Sequence, residues 1–431
     1  MAHSTAVNTT VDREQVSKRV SIIGAGAAGC FCAIELKRRC PECDITIYEQ
    51  KSKALAKVAI TGGGRCNLTN TFEPFLDDRG RYGNLQQVYP RGDKLMRKVL
   101  TAFSHNDTMR WFENEGVRLV CQDDGCVFPQ SQDAMEIVNT LLHAINCQGI
   151  KIQYKHKLTN IERQGEGSYL LSFDNQDKQV QSDVVVIATG GGRSTFLEAL
   201  KVKMQSTIPS LFTLNTVNDN HESLMGTVVK DVTVTLAGTA HHASGALLWT
   251  HHGVSGPAIL RLSSYAAREL AEQDYRAILT VNWCGGRKEE AVRGYIADMM
   301  REHSMRLICN EYPTFLTQKH WNVMLDHCSI PQSQRWGALN KAHINRLVNV
   351  LTAQQLTVSG RNTYKEEFVT AGGVSLKELQ PKTLEHRCYK GLYFAGEVTD
   401  VDAVTGGFNL QAAWSMGWQV AVAVSAGWYE N

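Results

Sequence analysis

The 431-residue sequence predicts an α/β protein, in which a doubly wound, Rossmann-like domain has a second region inserted into it. Two observations predict this fold. At four places a short segment opens into glycines, as the strands of a parallel sheet do where their carboxyl ends meet a ligand. Between residues 195 and 370 the chain mixes β-rich with helix-rich segments, which is typical of an inserted domain.

The first element is a strand–loop–helix–strand unit near the N-terminus. The stretch KRVSII leads into Gly24, Gly26 and Gly29, which fit the pattern G-x-G-x-x-G, and a helix of small residues follows. Such glycines allow a tight turn, the close approach of a pyrophosphate, and close packing of the helix on the strand. A second strand, DITIYE, ends at Glu49, which can accept hydrogen bonds from both hydroxyls of a ribose. The unit therefore predicts a dinucleotide site, with the phosphates at the helix N-terminus.

A second glycine-rich loop, TGGGRCN at residues 61–67, indicates which dinucleotide is bound. A plain NAD dehydrogenase needs no such loop after the acidic strand, whereas the long FAD molecule must also be held at its flavin end. Gly62–Gly64 let the backbone approach a cofactor, Arg65 can neutralise phosphate, and Asn67 can hydrogen-bond through its amide. Cys66 has no resolving cysteine close by, so we interpret it as a small packing residue. The loop favours FAD.

Two later strands and a helix complete the predicted cofactor-binding sheet. DVVVIATGG is an apolar strand that opens into glycines at Gly190, and GLYFAGE is another that ends at Gly396. TGGFNLQAAWSMG leads from Gly406 into a helix whose N–H groups can face an electron-rich group, such as the pyrimidine carbonyl of a flavin. One long ligand explains why so many glycine-bearing strand ends meet at one face of the sheet.

Composition and charge limit the classes of partner that the sequence predicts. A formal net charge of +2 predicts no nucleic-acid or membrane partner, since those surfaces require clustered basic residues. No apolar run approaches the roughly 18 residues that span a bilayer. Residues 1–18, a predicted flexible tail, lack the apolar core of a secretory signal, so we expect a cytoplasmic protein.

The twelve cysteines are scattered, and we expect them to be reduced. Cys40 and Cys43 have the C-x-x-C spacing of half a zinc site or of a redox pair. No second pair completes four ligands, so we interpret these two as thiols of a loop. No metal site is predicted.

Seven motifs together resemble the YhiN/BaiN-like flavoproteins, a family that includes aminoacetone oxidases: IIGAGAAG, ITGGGRCNLTN, VFPQS, IATGG, LLWTHHGVSGPAIL, TAGGVSL and GLYFAGEVTDVDAVTGGFNLQAAWSMG. The resemblance runs from about Val20 to the C-terminus, and GGGRCN and GEVTDVDAVTGGFN are its most specific parts. It implies bound FAD and a two-dinucleotide-binding-domain type of fold with an inserted β-barrel and a helical subdomain. The implied domains are a discontinuous FAD-binding domain (19–194 and 371–431), a β-rich insertion (195–285 and 346–370) and a helical subdomain (286–345).

The resemblance also implies which residues contact FAD. It places the diphosphate and ribose near Gly24, Ala25, Gly26, Ala28, Gly29 and Glu49, and the adenine half near Thr189 and Gly190. It places the flavin end near Gly64, Arg65, Cys66, Asn67, Gly396, Glu397, Asp400, Gly407, Phe408 and Asn409.

Three departures from the family pattern concern the ligands. Leu55-Ala56-Lys57 stands where the family tends to have Gly-Arg-Lys, which removes one expected phosphate contact. Asp133 replaces a common lysine after VFPQS. After ATGGG the chain lacks the longer segment with Tyr-Pro and Ser-Thr-Gly, so the relatives do not define its substrate.

The sequence predicts that FAD performs the redox chemistry and that a hydride passes between it and a small organic substrate, NADH or NADPH. His251 and His252, in WTHHGVSGP, are the candidate catalytic residues, because histidine exchanges protons near neutral pH. The pair could equally cap a strand of the inserted barrel. Two other functions stay open, an NAD-dependent dehydrogenase and a flavin-binding sensor or scaffold without turnover. A tRNA-modifying flavoprotein is disfavoured by the near-neutral charge.

Overall fold

The computed structural model describes residues 18–165, 167–192, 194–217, 221–362 and 369–429. Of the predicted tail, residues 1–17 lie outside the described residues.

A five-stranded parallel sheet forms the centre of the nucleotide-binding half. Its strands lie in the order Leu392–Phe394, Val184–Ile187, Arg19–Ile23, Asp44–Glu49 and Lys151–Tyr154. The chain leaves the Arg19–Ile23 strand in one direction and later returns on its other side beside Val184–Ile187. In sheets of this kind the ligand lies outside the carboxyl ends of the strands, where the connections diverge.

Two helices with small residues pack together on this sheet. They are Ala27–Arg39 and the long C-terminal helix Phe408–Tyr429. A Cβ on Gly417 would lie 2.7 Å from the Ala28 carbonyl oxygen, so this glycine permits the close approach. Beside it, Phe31 and Trp414 pack with their ring centroids 5.6 Å apart. None of the described helices is both long and apolar enough to cross a membrane.

Three further helices complete the nucleotide-binding half: Asp93–Ala102, His105–Asn114 and Ala134–Cys147. Asp133, which replaces the family's lysine, caps the last of them, because its side chain accepts a hydrogen bond from the Met135 N–H at 2.8 Å. This departure from the family pattern therefore has a local structural role.

Smaller elements occur in both halves of the molecule. Two three-stranded sheets contain Thr69–Asn70, Cys126–Pro129 and Leu119–Cys121, and Leu158–Gln164, Ser168–Phe173 and Gln176–Ser182. A two-stranded sheet joins Met204–Ser210 to Val369–Val374. The short helical segments are Ala56–Gly64, Glu73–Phe75, Thr195–Ala199, His221–Leu224, Trp336–Ala338, Leu376–Glu378 and Gly396–Val398.

The inserted region contains a closed six-stranded barrel, which confirms the predicted fold class. Its strands, in order around the barrel, are Leu214–Val217, Gly253–Ser255, His242–Trp249, Val228–Leu236, Ala277–Asn282 and Gln354–Arg361. Five helices belong to the same region: Pro257–Tyr265, Ala267–Glu272, Glu289–Glu302, Gln318–His327 and Lys341–Ala353. The domain boundaries given above stay predictions.

A buried ion pair joins the two halves of the molecule. The guanidinium of Arg91 donates two hydrogen bonds to the carboxylate of Asp402, which is fully buried. The same guanidinium donates to the Ser264 carbonyl oxygen at 2.8 Å, and the Ser210 hydroxyl donates to Asp402 at 3.0 Å. Ser210 and Ser264 belong to the inserted region, so one charge cluster holds both halves together.

We expect Asp402→Asn to destabilise the protein by about 3–5 kcal/mol, because it leaves the buried Arg91 without a counter-charge. Chemical denaturation of the purified variant measures this loss. Arg301→Gln is the matched control, since that arginine is 70% exposed and pairs with Asp298 on the surface. Equal unfolding midpoints for D402N and R301Q would contradict the importance of the buried pair.

Candidate functional site

A single cavity of about 890 Å³ lies outside the carboxyl ends of the parallel strands. It extends from the first glycine loop, past the second, to the wall of the barrel. Among the predicted site residues, those that line it are Gly24, Ala25, Gly26, Ala28, Glu49, Asn67, Thr189, Gly190, Gly396, Glu397, Gly407 and Asn409. Those that do not line it are Gly29, Gly64, Arg65, Cys66, Asp400 and Phe408.

The three glycines of the first loop have different roles. A Cβ on Gly24, whose φ is +108°, would lie 2.4 Å from the Ala188 carbonyl oxygen, so this glycine lets two strand ends meet. A Cβ on Gly29 would lie 2.0 Å from the Gly24 carbonyl oxygen, so this one lets the helix pack on the loop. A Cβ on Gly26 would meet no protein atom within 4 Å. Gly26 therefore leaves room in the cavity beside the helix N-terminus.

Backbone hydrogen bonds orient Glu49 at the end of its strand. One carboxylate oxygen accepts from the Ala25 N–H at 2.9 Å, and the other accepts from the Lys51 N–H at 2.8 Å. A carboxylate oxygen has a second lone pair, so each can still accept a bond from a ligand hydroxyl. The side chain is thus fixed on the cavity wall, and a lone pair of each carboxylate oxygen remains for a hydrogen bond from a ligand.

The second glycine loop follows a short helical segment in Ala56–Gly64. Leu55, just before it, has a left-handed φ of +56°, which glycine adopts without strain and which explains the family's glycine there. The helical conformation ends after Ile60, because Thr61 is extended and Gly62 and Gly63 are left-handed. The turn brings Asn67 to the cavity.

Asn67 connects this loop to the last glycine loop of the chain. With its amide in the orientation that satisfies both groups, its nitrogen donates to the Thr69 carbonyl at 2.9 Å and its oxygen accepts from the Gly407 N–H at 3.2 Å. A Cβ on Gly407 would lie 2.4 Å from the Thr69 carbonyl oxygen. The two loops therefore depend on each other for their conformations.

Arg65 and Cys66 point away from the cavity. The Arg65 guanidinium lies over the Phe128 ring, 4.5 Å from its centroid, and donates to Gln132 at 3.4 Å. The phosphate contact predicted for Arg65 finds no support in this placement. Cys66 is fully buried, and burial raises the pKa of its thiol to about 12, in agreement with a packing role.

The last glycine loop divides its residues between the cavity and the core. Phe408 packs into the core against Phe72, with ring centroids 5.0 Å apart. Asn409 holds the loop by accepting from the Ala403 N–H and donating to the Ala403 carbonyl, both at 2.9 Å. Asp400 pairs with Arg268 at 3.4 Å, outside the cavity lining, and burial raises the pKa of its carboxyl.

Thr189 and Glu397 also line the cavity, each shortly after a strand of the parallel sheet. The hydroxyl of Thr189 is buried and, among the described residues, has no hydrogen-bond partner. Glu397 accepts from the Thr370 N–H and from Lys57 Nζ, both at 2.8 Å. Lys57, which comes after the strand Asp44–Glu49, thus pairs with a carboxylate that follows the strand Leu392–Phe394.

His251 and His252 do not lie at the cavity. Both are exposed on the turn between the barrel strands His242–Trp249 and Gly253–Ser255, with their ring centroids 4.5 Å apart. The catalytic role predicted for them stays a prediction that this position does not favour. Cys40 and Cys43 are likewise distant from the cavity lining and buried.

The structure adds lining residues that the motifs did not reveal. At one end these are Tyr48, His156, Lys157 and Leu158. At the other end five residues in or next to the barrel strands form what we call the barrel wall: Leu211, Thr213, Ser255, Leu260 and Asn362. Tyr48 lies within DITIYE, and Ser255 and Leu260 lie within LLWTHHGVSGPAIL, but neither motif distinguishes them as cavity residues. The others have no local pattern that distinguishes them from ordinary strand and loop residues.

Comparisons with known proteins agree with this architecture. A family model described as the HI0933-like protein Rossmann domain matches residues 18–423. The chain is 27% identical to a 3-dehydro-bile acid delta(4,6)-reductase of Clostridium scindens, over 93% of this chain and 97% of that protein. It is 27% identical to a ribosomal RNA dihydrouridine synthase of Haemophilus influenzae, over 94% of this chain and 98% of that protein.

A solved structure of similar fold is the 3-ketosteroid-delta4-(5alpha)-dehydrogenase of Rhodococcus jostii RHA1 in complex with 4-androstene-3,17-dione. Its TM-score is 0.50 at 14% identity, with 97% of this chain and 99% of that chain covered. At this identity the likeness shows the fold alone.

We expect Gly29→Ala to destabilise the fold much more than Gly26→Ala. Gly29→Ala forces the helix off the loop and should cost about 2–3 kcal/mol of unfolding free energy or more. Gly26→Ala, with open space around it, should cost less than about 1 kcal/mol. Denaturation of the two ligand-free variants measures both, and a similar loss for each would contradict the assigned roles.

We also expect Cys66 to resist alkylation by iodoacetamide at pH 8 in the folded protein. Its raised pKa means that the reactive thiolate forms well above that pH, and its burial excludes the reagent. The exposed Cys121, Cys147 and Cys388 are the internal controls and should react. Mass spectrometry of the peptides identifies the modified residues, and early labelling of Cys66 would show that its loop opens.

Proposed function

The chain belongs to the HI0933-like Rossmann-domain family, and from its cavity we propose that it is an FAD-dependent oxidoreductase. The membership confirms the resemblance to the YhiN/BaiN-like flavoproteins that the motifs indicate. The proposal rests on one observation, a single cavity of about 890 Å³ in which residues from both ends of the chain meet.

The residues present fit an FAD molecule in this cavity. Gly26 leaves space for a diphosphate at the N-terminus of the helix Ala27–Arg39, where backbone N–H groups and the helix dipole favour an anion. Glu49 keeps acceptors for the ribose hydroxyls. The buried Thr189 hydroxyl, without a partner among the described residues, suits a polar group of the nucleotide.

The two ends of the cavity suit the two ends of FAD. The rings of Tyr48 and His156, with centroids 5.9 Å apart, and the side chain of Leu158 form an apolar surface for the adenine. Asn67 and Gly407 lie at the other end, close to the barrel wall, where we place the flavin. FAD, when bound, supplies a two-electron centre that exchanges a hydride. The chain's own residues hold and orient it and cover it from water.

The names of the relatives suggest the kind of substrate. A delta(4,6)-reductase of a 3-dehydro-bile acid and a dihydrouridine synthase both, by their names, saturate a carbon–carbon double bond in a ring that also carries a carbonyl. We propose that this chain reduces a double bond conjugated to a carbonyl, with NADH or NADPH as the electron source. Two relatives are named ribosomal RNA dihydrouridine synthases, so the absence of a nucleic-acid partner stays a prediction.

An absorption spectrum of the pure protein, before and after addition of FAD, tests the cofactor. We expect the bands of bound flavin in the wild type and an FAD affinity at least about tenfold lower for Gly26→Val, whose side chain enters the space for the diphosphate. Gly294→Val is the matched control and should bind FAD as the wild type does. Gly294 is exposed in the helix Glu289–Glu302, a Cβ there would meet no atom within 4 Å, and it does not line the cavity.

Anaerobic titration with NADH and NADPH then tests the electron source. Bleaching of the flavin bands, reversed by cyclohex-2-enone or by a ribosomal RNA transcript, would identify donor and acceptor together. A protein that stays colourless with FAD would favour a dehydrogenase that uses NAD. Bound FAD that no donor reduces would favour a sensor or scaffold.

A further inference from the structure

We infer that the paired hydroxyls of Thr213 and Ser255 bind the carbonyl oxygen of an uncharged substrate. The two side chains lie on the barrel wall of the cavity, with their oxygens 3.1 Å apart. This inference rests on the proposed function, since it assigns the substrate side of the same cavity.

The backbone fixes the hydroxyl pair. Leu214 pairs with Val254 and Asn215 with Gly253 in the antiparallel ladder, so the same register places Thr213 opposite Ser255. The Thr213 carbonyl also accepts from the Asn362 N–H at 3.0 Å, and Asn362 lines the cavity beside it. The pair is therefore built into the barrel wall, where a ligand finds it in place.

Hydrogen-bond chemistry leaves one proton of the pair for a ligand. In a bond between two hydroxyls, one donates and the other accepts, and the accepting hydroxyl keeps its own O–H. Among the described residues, neither hydroxyl has another hydrogen-bond partner. Both residues line the cavity, so this O–H is available to an acceptor there, such as a carbonyl oxygen. Donation to that oxygen draws electron density from a double bond conjugated to it.

Charge is unevenly distributed around the cavity. Among the residues that the structure describes, its charged lining residues belong to the nucleotide-binding half: Glu49, Lys51, Lys53, Lys57, Lys157 and Glu397. The barrel contributes Leu211, Thr213, Ser255, Leu260 and Asn362, and no charged side chain from the described part of the barrel joins them.

A charged substrate would therefore lose its water against the described part of this wall without gaining a counter-ion from it, which is costly. The wall is suited to neutral molecules that have an acceptor. A primary ammonium or a carboxylate close to the reacting carbon should bind poorly.

The barrel wall is close to the proposed flavin end. Ser210, next to Leu211, and Ser264, in the same helix as Leu260, bond to the Arg91–Asp402 pair. Asp402 lies between Val401 and Ala403 in the loop that leads to Gly407, and Val401 lines the cavity. The hydroxyl pair and the flavin end thus belong to one chamber.

Titration of the FAD-bound protein with cyclohex-2-enone, followed by the change in flavin absorbance, tests the inference. We expect Thr213→Val and Ser255→Ala each to weaken binding by about tenfold, the effect of one lost hydrogen bond, with FAD still bound. The matched control is Thr233→Val with Ser244→Ala, a hydroxyl pair at 2.9 Å on the same barrel but outside the cavity lining. This control should bind the enone as the wild type does.

A second probe, 3-oxocyclohex-1-ene-1-carboxylate, tests the uncharged wall. It should bind at least about tenfold more weakly than the neutral enone, because its carboxylate meets no counter-charge. Equal binding of the two probes, unchanged affinity in both hydroxyl variants, or no response of the wild type to the enone would overturn the inference. In each of these results the flavin bands and their reduction by NADH or NADPH would be intact, so the proposed function would survive. A protein that binds no FAD would contradict both the proposed function and this inference.

Discussion

The cavity depends on the buried ion pair between Arg91 and Asp402. Asp402 belongs to the loop that forms the floor at the proposed flavin end, while the partners Ser210 and Ser264 belong to the inserted region. A buried charge requires its counter-charge in good geometry, so the two halves have one favourable arrangement rather than many. That arrangement places the barrel wall opposite the glycine loops.

Inside the cavity, charge and apolar surface are separated in a way that matches a dinucleotide with a neutral substrate. The nucleotide-binding half provides the helix N-terminus, Glu49 and the lysines, which suit phosphates and ribose. The barrel provides leucines, hydroxyls and an amide. On the proposed function, this separation would let one protein hold a highly charged cofactor and still favour an uncharged molecule at the reacting end.

The second glycine loop, GGGRCN, is specific because several residues in it are needed for one another. Gly62 must be left-handed and close to the Asn67 backbone, since a Cβ there would lie 3.0 Å from the Asn67 nitrogen. Asn67 in turn holds Gly407, more than three hundred residues later, and Cys66 fills the core beneath. The arginine supports the loop by lying on Phe128. The loop shapes the cofactor site through its backbone more than through its charge.

The sequence by itself determined the parallel sheet, the two glycine loops, the acidic residue at the second strand and, through the resemblance, the inserted barrel. These features follow from local patterns, because turn geometry, helix termini and strand burial depend on residues close together in the chain. Only the tertiary structure decided that Arg65 turns to an aromatic ring, that the two histidines lie outside the cavity, and that Thr213 faces Ser255. Such contacts join residues that are far apart in the sequence. Thr213 and Ser255 are separated by 42 positions, and Lys57 and Glu397 by 340. No local pattern records which distant side chain a strand or loop will meet, because packing of the whole chain sets that choice.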